Sequence, residues 1–241
     1  ETMDGSRRRS LDQHSMRPRS KSPVLDCNNF EKRSSRPTAS AAASVSAIIG
    51  ATCSGPTSYA ASVAAVARLP MISASATSAA LSSSRDYPTF LRTVPSDALQ
   101  SRVMVDLLVE GFNYTSVALV SSTDVYGVDG ANEFSAAAQA RGLTIQTDVR
   151  VDPNEDDFAT HIESLRRSQL RVVVLICQTA LSVRLLRRAY AEGLAGPGFL
   201  WLGSDGVMNQ DVVSQLNATI AKGMFGTNVA RPSGEAYDTF R

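Results

Sequence analysis

The sequence is short of the groups that most enzyme chemistry requires. It has only two histidines, His14 and His161, and neither has a nucleophile at readable spacing, so a Ser/His/Asp arrangement is unsupported. Three cysteines, Cys27, Cys53 and Cys177, fall at neither CxxC nor metal-ligand spacing, and their odd number leaves at least one unpaired in a monomer. The stretch GATCSGPTS lacks the Gly-Lys-Ser/Thr ending of a phosphate loop, and no GxGxxG follows a strand. These absences predict no cofactor, no metal and no catalytic activity. No apolar run approaches the ~18 residues that a membrane span needs. The N-terminus is polar and Arg-rich with no apolar segment, unlike a secretory signal. Aromatic residues make up 6% of the chain and none alternate with the basic residues near its start, so a base-stacking surface is not expected there.

What is present divides in two. Residues 1–43 carry nine Lys/Arg against five Asp/Glu, which leaves the remainder near −3 within a net charge of +1. The folded part therefore has no basic bias and is not expected to bind nucleic acid. Residues 1–44 are rich in Ser, Arg and Pro, lack apolar periodicity and read as a disordered arm. From Val45 onward, apolar and β-branched runs predict strands at Val45–Ile49, Pro70–Ala74, Phe90–Val94, Ser116–Ser121, Leu143–Val149, Arg171–Cys177, Phe199–Leu202 and Met224–Val229.

Helical periods fall between many of these runs. Leu99, Val103 and Leu107, flanked by Met104 and Leu108, make a stripe from Asp97 to Glu110. Phe158, Ile162 and Leu165 follow an acidic first turn, Glu155–Asp157, and Arg166 and Arg167 suit the same helix's end. His161 is expected on the solvent face of that helix. Val183, Leu186 and Tyr190 form a third stripe before a stop at Gly193. Alternating strands and helices predict an α/β fold with mostly parallel sheets.

In such sheets, ligands bind beyond the carboxyl ends of the strands. That rule selects Ala51–Ser58, Ser75–Ser78, Ser121–Gly127 and Gly203–Gly206. Ser54 and the free amides of a helix start could hold a carboxylate, with Ser75 and Thr77 as further small donors. Asp205 and Asp97 supply negative charge for an ammonium group, and Tyr126 an aromatic face that can cover a cation. Donors for a carboxylate opposite acids for an amine describe an α-amino-acid site. Each residue also has a plainer reading. Ser54 and Thr77 could cap helices, Asp97 could be an N-cap after Pro95, and Asp205 could serve a turn before Gly206.

The order of motifs IIG-ATCS-GPTS, ISASATSAALSSS, DYPTFLRTVPSD, SVALVSSTDVYG and FLWLGSDG resembles the extracellular ligand-binding domain of class C G-protein-coupled receptors, closest to metabotropic glutamate receptors. The resemblance runs from about Val45 to Arg241. It implies a periplasmic-binding-protein-like Venus flytrap with Rossmann-like sheets, with residues 45–97 as part of lobe one and 98–230 as most of lobe two. Residues 231–241 would begin the return to lobe one, and the remaining lobe-one elements would be missing. It further implies that Ser54, Ser75, Thr77, Asp97, Tyr126 and Asp205 grip an amino acid.

Implied partners are a small amino-acid-like ligand, a G protein reached through membrane helices outside this sequence, and a second copy docked through lobe one. The implied location is the extracellular face of the cell membrane, with which the sequons at Asn113 and Asn217 agree. Two departures qualify the likeness. The segment after GSDG reads VMNQ, without the basic residue that glutamate-binding members carry there, and Leu175 stands where Cys177 would need a disulfide partner. Cys177 is therefore expected as a buried thiol. Three alternatives stay open: a natriuretic-peptide-type receptor domain, a soluble periplasmic-type amino-acid-binding protein, or a truncated, non-binding remnant.

Overall fold

The computed structural model describes residues 45–230 and 233–240, so the arm read over residues 1–44 lies outside the described residues. Two parallel sheets organise the chain. The smaller holds β1 (Ile48–Ile49), β2 (Met71–Ser73) and β3 (Phe90–Arg92) in the order β1-β2-β3. The larger holds β4 (Ser116–Ser122), β5 (Thr144–Val151), β6 (Val172–Ile176), β7 (Leu200–Gly203) and β8 (Met224–Gly226) in the order β5-β4-β6-β7-β8. Every strand expected from the sequence is present, and all pairings are parallel.

The larger sheet is buried on both faces because its central strands are apolar at nearly every position rather than at alternate ones. Val117 and Leu119 of β4 and Val172 and Val174 of β6 face α2 (Asp97–Asp106) and α3 (Val125–Ala140), packing on Met104, Val105 and Phe134. Ala118, Val120, Val173, Leu175 and Trp201 face the other way. They meet α4 (Ala159–Ser168), α5 (Thr179–Ala191), α6 (Gln210–Gln215) and α7 (Ala218–Ala221). Burying side chains of this size contributes about 1.5–3 kcal/mol each. The smaller sheet has only a modest core, Ala61 and Ala64 of α1 (Ser54–Val66) on Met71, and leaves Ile49 88% exposed. A last helix, α8, spans Glu235–Phe240.

Four local readings need correction. The stripe expected on α2 is turned outward, with Leu99 51% and Val103 47% exposed. Its buried face is instead Asp97, Ser101, Met104 and Val105, continuing to Leu108 in a π-turn (Leu107–Gly111), a face whose polar members hid its period. The acidic segment 155–157 precedes α4 rather than opening it. Asp157 accepts from the Ala159 N–H at 3.0 Å, which holds the chain in a local turn until Phe158. His161 is half-buried and lies 2.9 Å from a Glu155 carboxylate oxygen, not on the solvent face. Tyr190 is exposed, because the buried face of α5 is formed by Leu181, Ser182, Val183, Leu185, Leu186 and Ala189 instead.

Gly193 does follow α5 with φ of 73°, as a stop should. Cys177 is a free, buried thiol 3.2 Å from the Ser182 hydroxyl, and burial pushes its pKa up to about 12. At that value it stays neutral and packs as a small apolar group.

The unequal cores lead us to expect that limited proteolysis cuts within residues 45–97 before it cuts within 98–230. Equal resistance of the two stretches in a mass-spectrometric time course would show that the small sheet is held as firmly as the large one.

Candidate functional site

All four loops selected from the sequence lie at carboxyl ends of parallel strands. In the larger sheet the chain starts at β4, moves outward to β5 and returns to β6, so the strand order reverses between β4 and β6. A crevice opens at such a reversal. The loop after β4 leads into α3, whose N-cap Asp124 accepts from the Gly127 N–H at 2.8 Å. This cap sets Tyr126 in the first turn of α3, pointing across the sheet to the loop after β7. There the Tyr126 hydroxyl donates to Asp205 Oδ1 at 2.5 Å, lies 2.9 Å from Ser204 Oγ and accepts from the Gly206 N–H at 3.3 Å.

Glycine is required at position 206. A Cβ there would lie 2.5 Å from the Cys177 carbonyl oxygen and 3.2 Å from the Tyr126 hydroxyl, so a side chain would push the two loops apart. The tyrosine is buried, and burial together with the Asp205 charge raises its pKa well above the usual phenol value. It acts as a neutral donor. Gln100 of α2 completes this group. With its amide oriented so that both ends find partners, its nitrogen donates to Asp205 Oδ1 at 3.1 Å. Its oxygen accepts from the Asp205 N–H at 3.1 Å and the Thr227 hydroxyl at 3.2 Å.

The smaller sheet faces this group across the crossing at 93–97. The Ala51 carbonyl accepts from Thr57 at 3.1 Å and from Ser73 at 2.6 Å, which shapes the loop before α1. Ser54 opens α1 and is buried, and its Oγ accepts from the Ser78 N–H at 3.2 Å. Arg92 donates to the Thr77 carbonyl at 3.1 Å, to the Ser78 carbonyl at 2.7 Å and to Ser82. Ser78 in turn donates to a carboxylate oxygen of Asp129 on α3, a direct bond between the two halves.

Asp97 sits where the halves meet. Its N–H donates to the Thr77 carbonyl at 2.9 Å, while Ser96, not Asp97, caps α2 by accepting from the Ala98 N–H at 3.3 Å. The Asp97 side chain is 3% exposed and neither carboxylate oxygen has a hydrogen-bond partner. Burial, followed by the charge of Asp205, raises its pKa to about 7; the neighbouring Thr77 hydroxyl and Arg92 oppose the rise without cancelling it. Near neutrality this carboxyl is poised between its two forms, and a cation placed beside it would ionise it.

Thr77, Asp97, Tyr126 and Asp205 are thus gathered at one junction, and Ser54 joins them through Ser78. Ser75 is exposed on the rim, its hydroxyl donating to the Thr52 carbonyl at 2.7 Å. Reading the sequence missed Ser78, Arg92, Gln100, Asp129 and Ser204. Helical spacing was an available signal for two of them, since Gln100 follows Asp97 by three residues and Asp129 follows Tyr126 by three. A cavity of about 70 Å³ lies between the halves, lined by Cys53, Gly55, Pro56, Asp124, Val125, Tyr126 and Gln178. A larger one of about 480 Å³ lies between α2 and α3 and is lined by none of these site residues.

Comparison with known proteins assigns the chain to a family. The sequence pattern described as the receptor family ligand binding region matches residues 15–241. The chain belongs to that family. The match begins inside the stretch read as an arm, so the family likeness extends further towards the N-terminus than Val45. The chain is 32% identical over 170 residues to the metabotropic glutamate receptor-like protein E of Dictyostelium discoideum, covering 67% of this chain and 21% of that protein. It is also 32% identical over 154 residues to the mouse taste receptor type 1 member 3, covering 61% of this chain and 18% of that one. The chain therefore spans about a fifth of the length of these relatives. The resemblance to the class C receptor ligand-binding domain, and its α/β fold with parallel sheets, hold.

The raised Asp97 pKa carries a stability signature. Between about 3.9, the unfolded value, and about 7, the folded value, the folded chain holds a proton that the unfolded chain has lost. Stability therefore falls as pH rises through that window. Asp97→Asn, which keeps the neutral shape, is expected to match the parent near pH 4 and to exceed it at pH 8 by about 2–4 kcal/mol. Urea unfolding at both pH values measures this, and an equal difference at both would remove Asp97 as the source.

Proposed function

We propose that this chain is the ligand-binding region of a cell-surface receptor and that it recognises a small α-amino-acid-like ligand between its two lobes. The observation that carries the reading is the opposition of two unlike poles at one junction. On one side stands the N-terminus of α1, whose first turn has no acidic residue, with the buried Ser54 hydroxyl at its start. Free N–H groups and the helix dipole suit a carboxylate there. On the other side, Asp97 and Asp205 suit an ammonium, with the Tyr126 ring as a wall. An α-amino acid carries both groups on one carbon.

In the intact protein, closure of the lobes on the ligand would be passed to membrane helices and from them to a G protein. The domain would stand on the extracellular face, where Asn113 and Asn217, both exposed, are open to glycosylation. Asn217 uses its Oδ1 to cap α7, accepting from the Ile220 N–H at 2.8 Å. That bond leaves the amide nitrogen available. Tyr59, Val63 and Val66 of α1 follow one another at helical spacing and are 74%, 70% and 88% exposed. This apolar stripe supports a homodimer through lobe one.

Calorimetric titration with the standard L-amino acids tests the ligand. At least one should bind saturably, and Asp205→Asn should weaken it about tenfold to a hundredfold, the cost of a charged hydrogen bond. Unchanged affinity in that variant would displace the ammonium from Asp205. Sedimentation of the parent and of Val63→Glu tests the dimer. The parent should associate and the variant should not, whereas equal masses would rule out this face.

A further inference from the structure

Ser78 is held from both halves of the chain. Its N–H donates to Ser54 Oγ at 3.2 Å, its carbonyl accepts from Arg92 at 2.7 Å, and its hydroxyl donates to a carboxylate oxygen of Asp129. Ser54 and Arg92 belong to the small-sheet half. Asp129 belongs to α3, which packs on the large sheet.

Packing does little to fix Ser78 in place, because the core under the small sheet is only Ala61, Ala64 and Met71. Ser78 is nevertheless fully buried. A buried hydroxyl without an acceptor is costly, so Asp129 both satisfies Ser78 and fixes where its main chain lies. A carboxylate acceptor makes that bond roughly twice as strong as one between neutral groups.

The Ser54 hydroxyl ends this chain of bonds. It is 2% exposed, and among the described residues its oxygen meets the Ser78 N–H while its own proton meets no acceptor. With a lone pair committed to Ser78, the Ser54 O–H is directed away from that N–H and free to donate. Cys53 and Gly55, its neighbours in the chain, line the cavity of about 70 Å³ between the halves.

Tyr126, three residues before Asp129 on α3, donates to Asp205. Residues three apart share a helix face. One helix therefore reaches both poles, through Tyr126 to the acids and through Asp129 and Ser78 to the start of α1. Ala131 and Phe134 bury α3 against the sheet, so these two side chains share a firm base.

We propose that Asp129 is a positioning residue for the carboxylate pole: by holding Ser78 from the opposite half, it sets the Ser54 hydroxyl to donate to the ligand's α-carboxylate. The proposal rests on the amino-acid reading above. Asp129 itself does not touch the ligand.

Calorimetric titration of the 241-residue chain with the standard L-amino acids, and with the carboxamide of each that binds, tests this. The carboxamide keeps the ammonium and lacks the carboxylate. Asp129→Ala is expected to weaken the amino acid about tenfold and the carboxamide by less than about threefold. Asp129→Asn keeps an oxygen acceptor for Ser78 and should recover most of the loss. Ser78→Ala should match Asp129→Ala, and the double variant should be no weaker than either, since the pair acts as one unit. Hydrogen exchange at the Ser78 amide, followed by NMR, reads the same contact without a ligand. It should speed up in Asp129→Ala and return towards the parent rate in Asp129→Asn.

Equal weakening of the amino acid and its carboxamide would overturn the proposal, since Asp129 would then only tether the halves. An Asp129→Asn variant as weak as Asp129→Ala would do the same, because charge rather than the bond to Ser78 would be what matters. Unchanged exchange at Ser78 in Asp129→Ala would break the chain of bonds whether or not a ligand is found. If no amino acid bound the parent, the amino-acid reading would fall and this proposal with it, an outcome separate from binding on which Asp129 has no effect.

Discussion

The Asp97 carboxyl is the constraint around which the rest of the site is arranged. A buried carboxylate without donors is costly, and folded chains generally pair such groups or keep them neutral. Here the backbone of the same residue is well used. Its N–H ties the first turn of α2 to the Thr77 carbonyl, and with it the large sheet to the loop after β2 of the small one. The chain cannot move Asp97 out of the junction without breaking that tie. The side chain is therefore kept where it is unfavourable, a condition that supports the proposed reading in which its partner arrives with a ligand.

The two halves of the junction are built to different standards. On the large sheet, Tyr126, Ser204, Asp205, Gly206 and Gln100 form one hydrogen-bonded group drawn from the loops after β4 and β7 and from α2. Those loops leave strands buried on both faces, so the acids and the tyrosine start from a rigid base. For the amine that we propose binds there, little ordering would remain to be done, and affinity would not be lost to it. On the small sheet the corresponding loops rest on a core of alanines and one methionine. Their shape depends on local hydroxyl bonds instead, with Ser73 and Thr57 on the Ala51 carbonyl and Arg92 on the Thr77 and Ser78 carbonyls.

How much of this was legible beforehand follows from the kind of physics involved. The strands were readable because doubly buried parallel strands are continuous apolar runs, such as Val172–Ile176. The loops were readable because strand ends and topology select them. The face of α2 was not. Its buried positions include Asp97 and Ser101, polar residues whose burial depends on contacts far away in sequence, so the visible stripe of Leu99 and Val103 pointed the wrong way. The start of α4 was misplaced for a local reason, the capture of a backbone N–H by Asp157. Helical spacing puts Gln100 beside Asp97 and Asp129 beside Tyr126, but their partners, Asp205 and Ser78, lie about fifty or more residues away, and that part of the pairing no local pattern announces.

The bonds between the two halves are compatible with the closure that we propose. Across the junction, hydrogen bonds such as the one from Ser78 to Asp129 join the halves, and the approach of α1 to α3 is close at Gly55, where a Cβ would lie 3.9 Å from Val125. Polar bonds of this kind contribute about 1 kcal/mol net, because water replaces them when they open. A junction held so lightly can populate open and closed forms within a few kcal/mol of each other. In the reading that we propose, a ligand touching Ser54 and Thr77 on one lobe and Asp97, Tyr126 and Asp205 on the other would make its full set of contacts only in a closed form. Its differential affinity would then be concentrated in the closing of a junction held by few polar bonds, which is what the proposed sensing role requires.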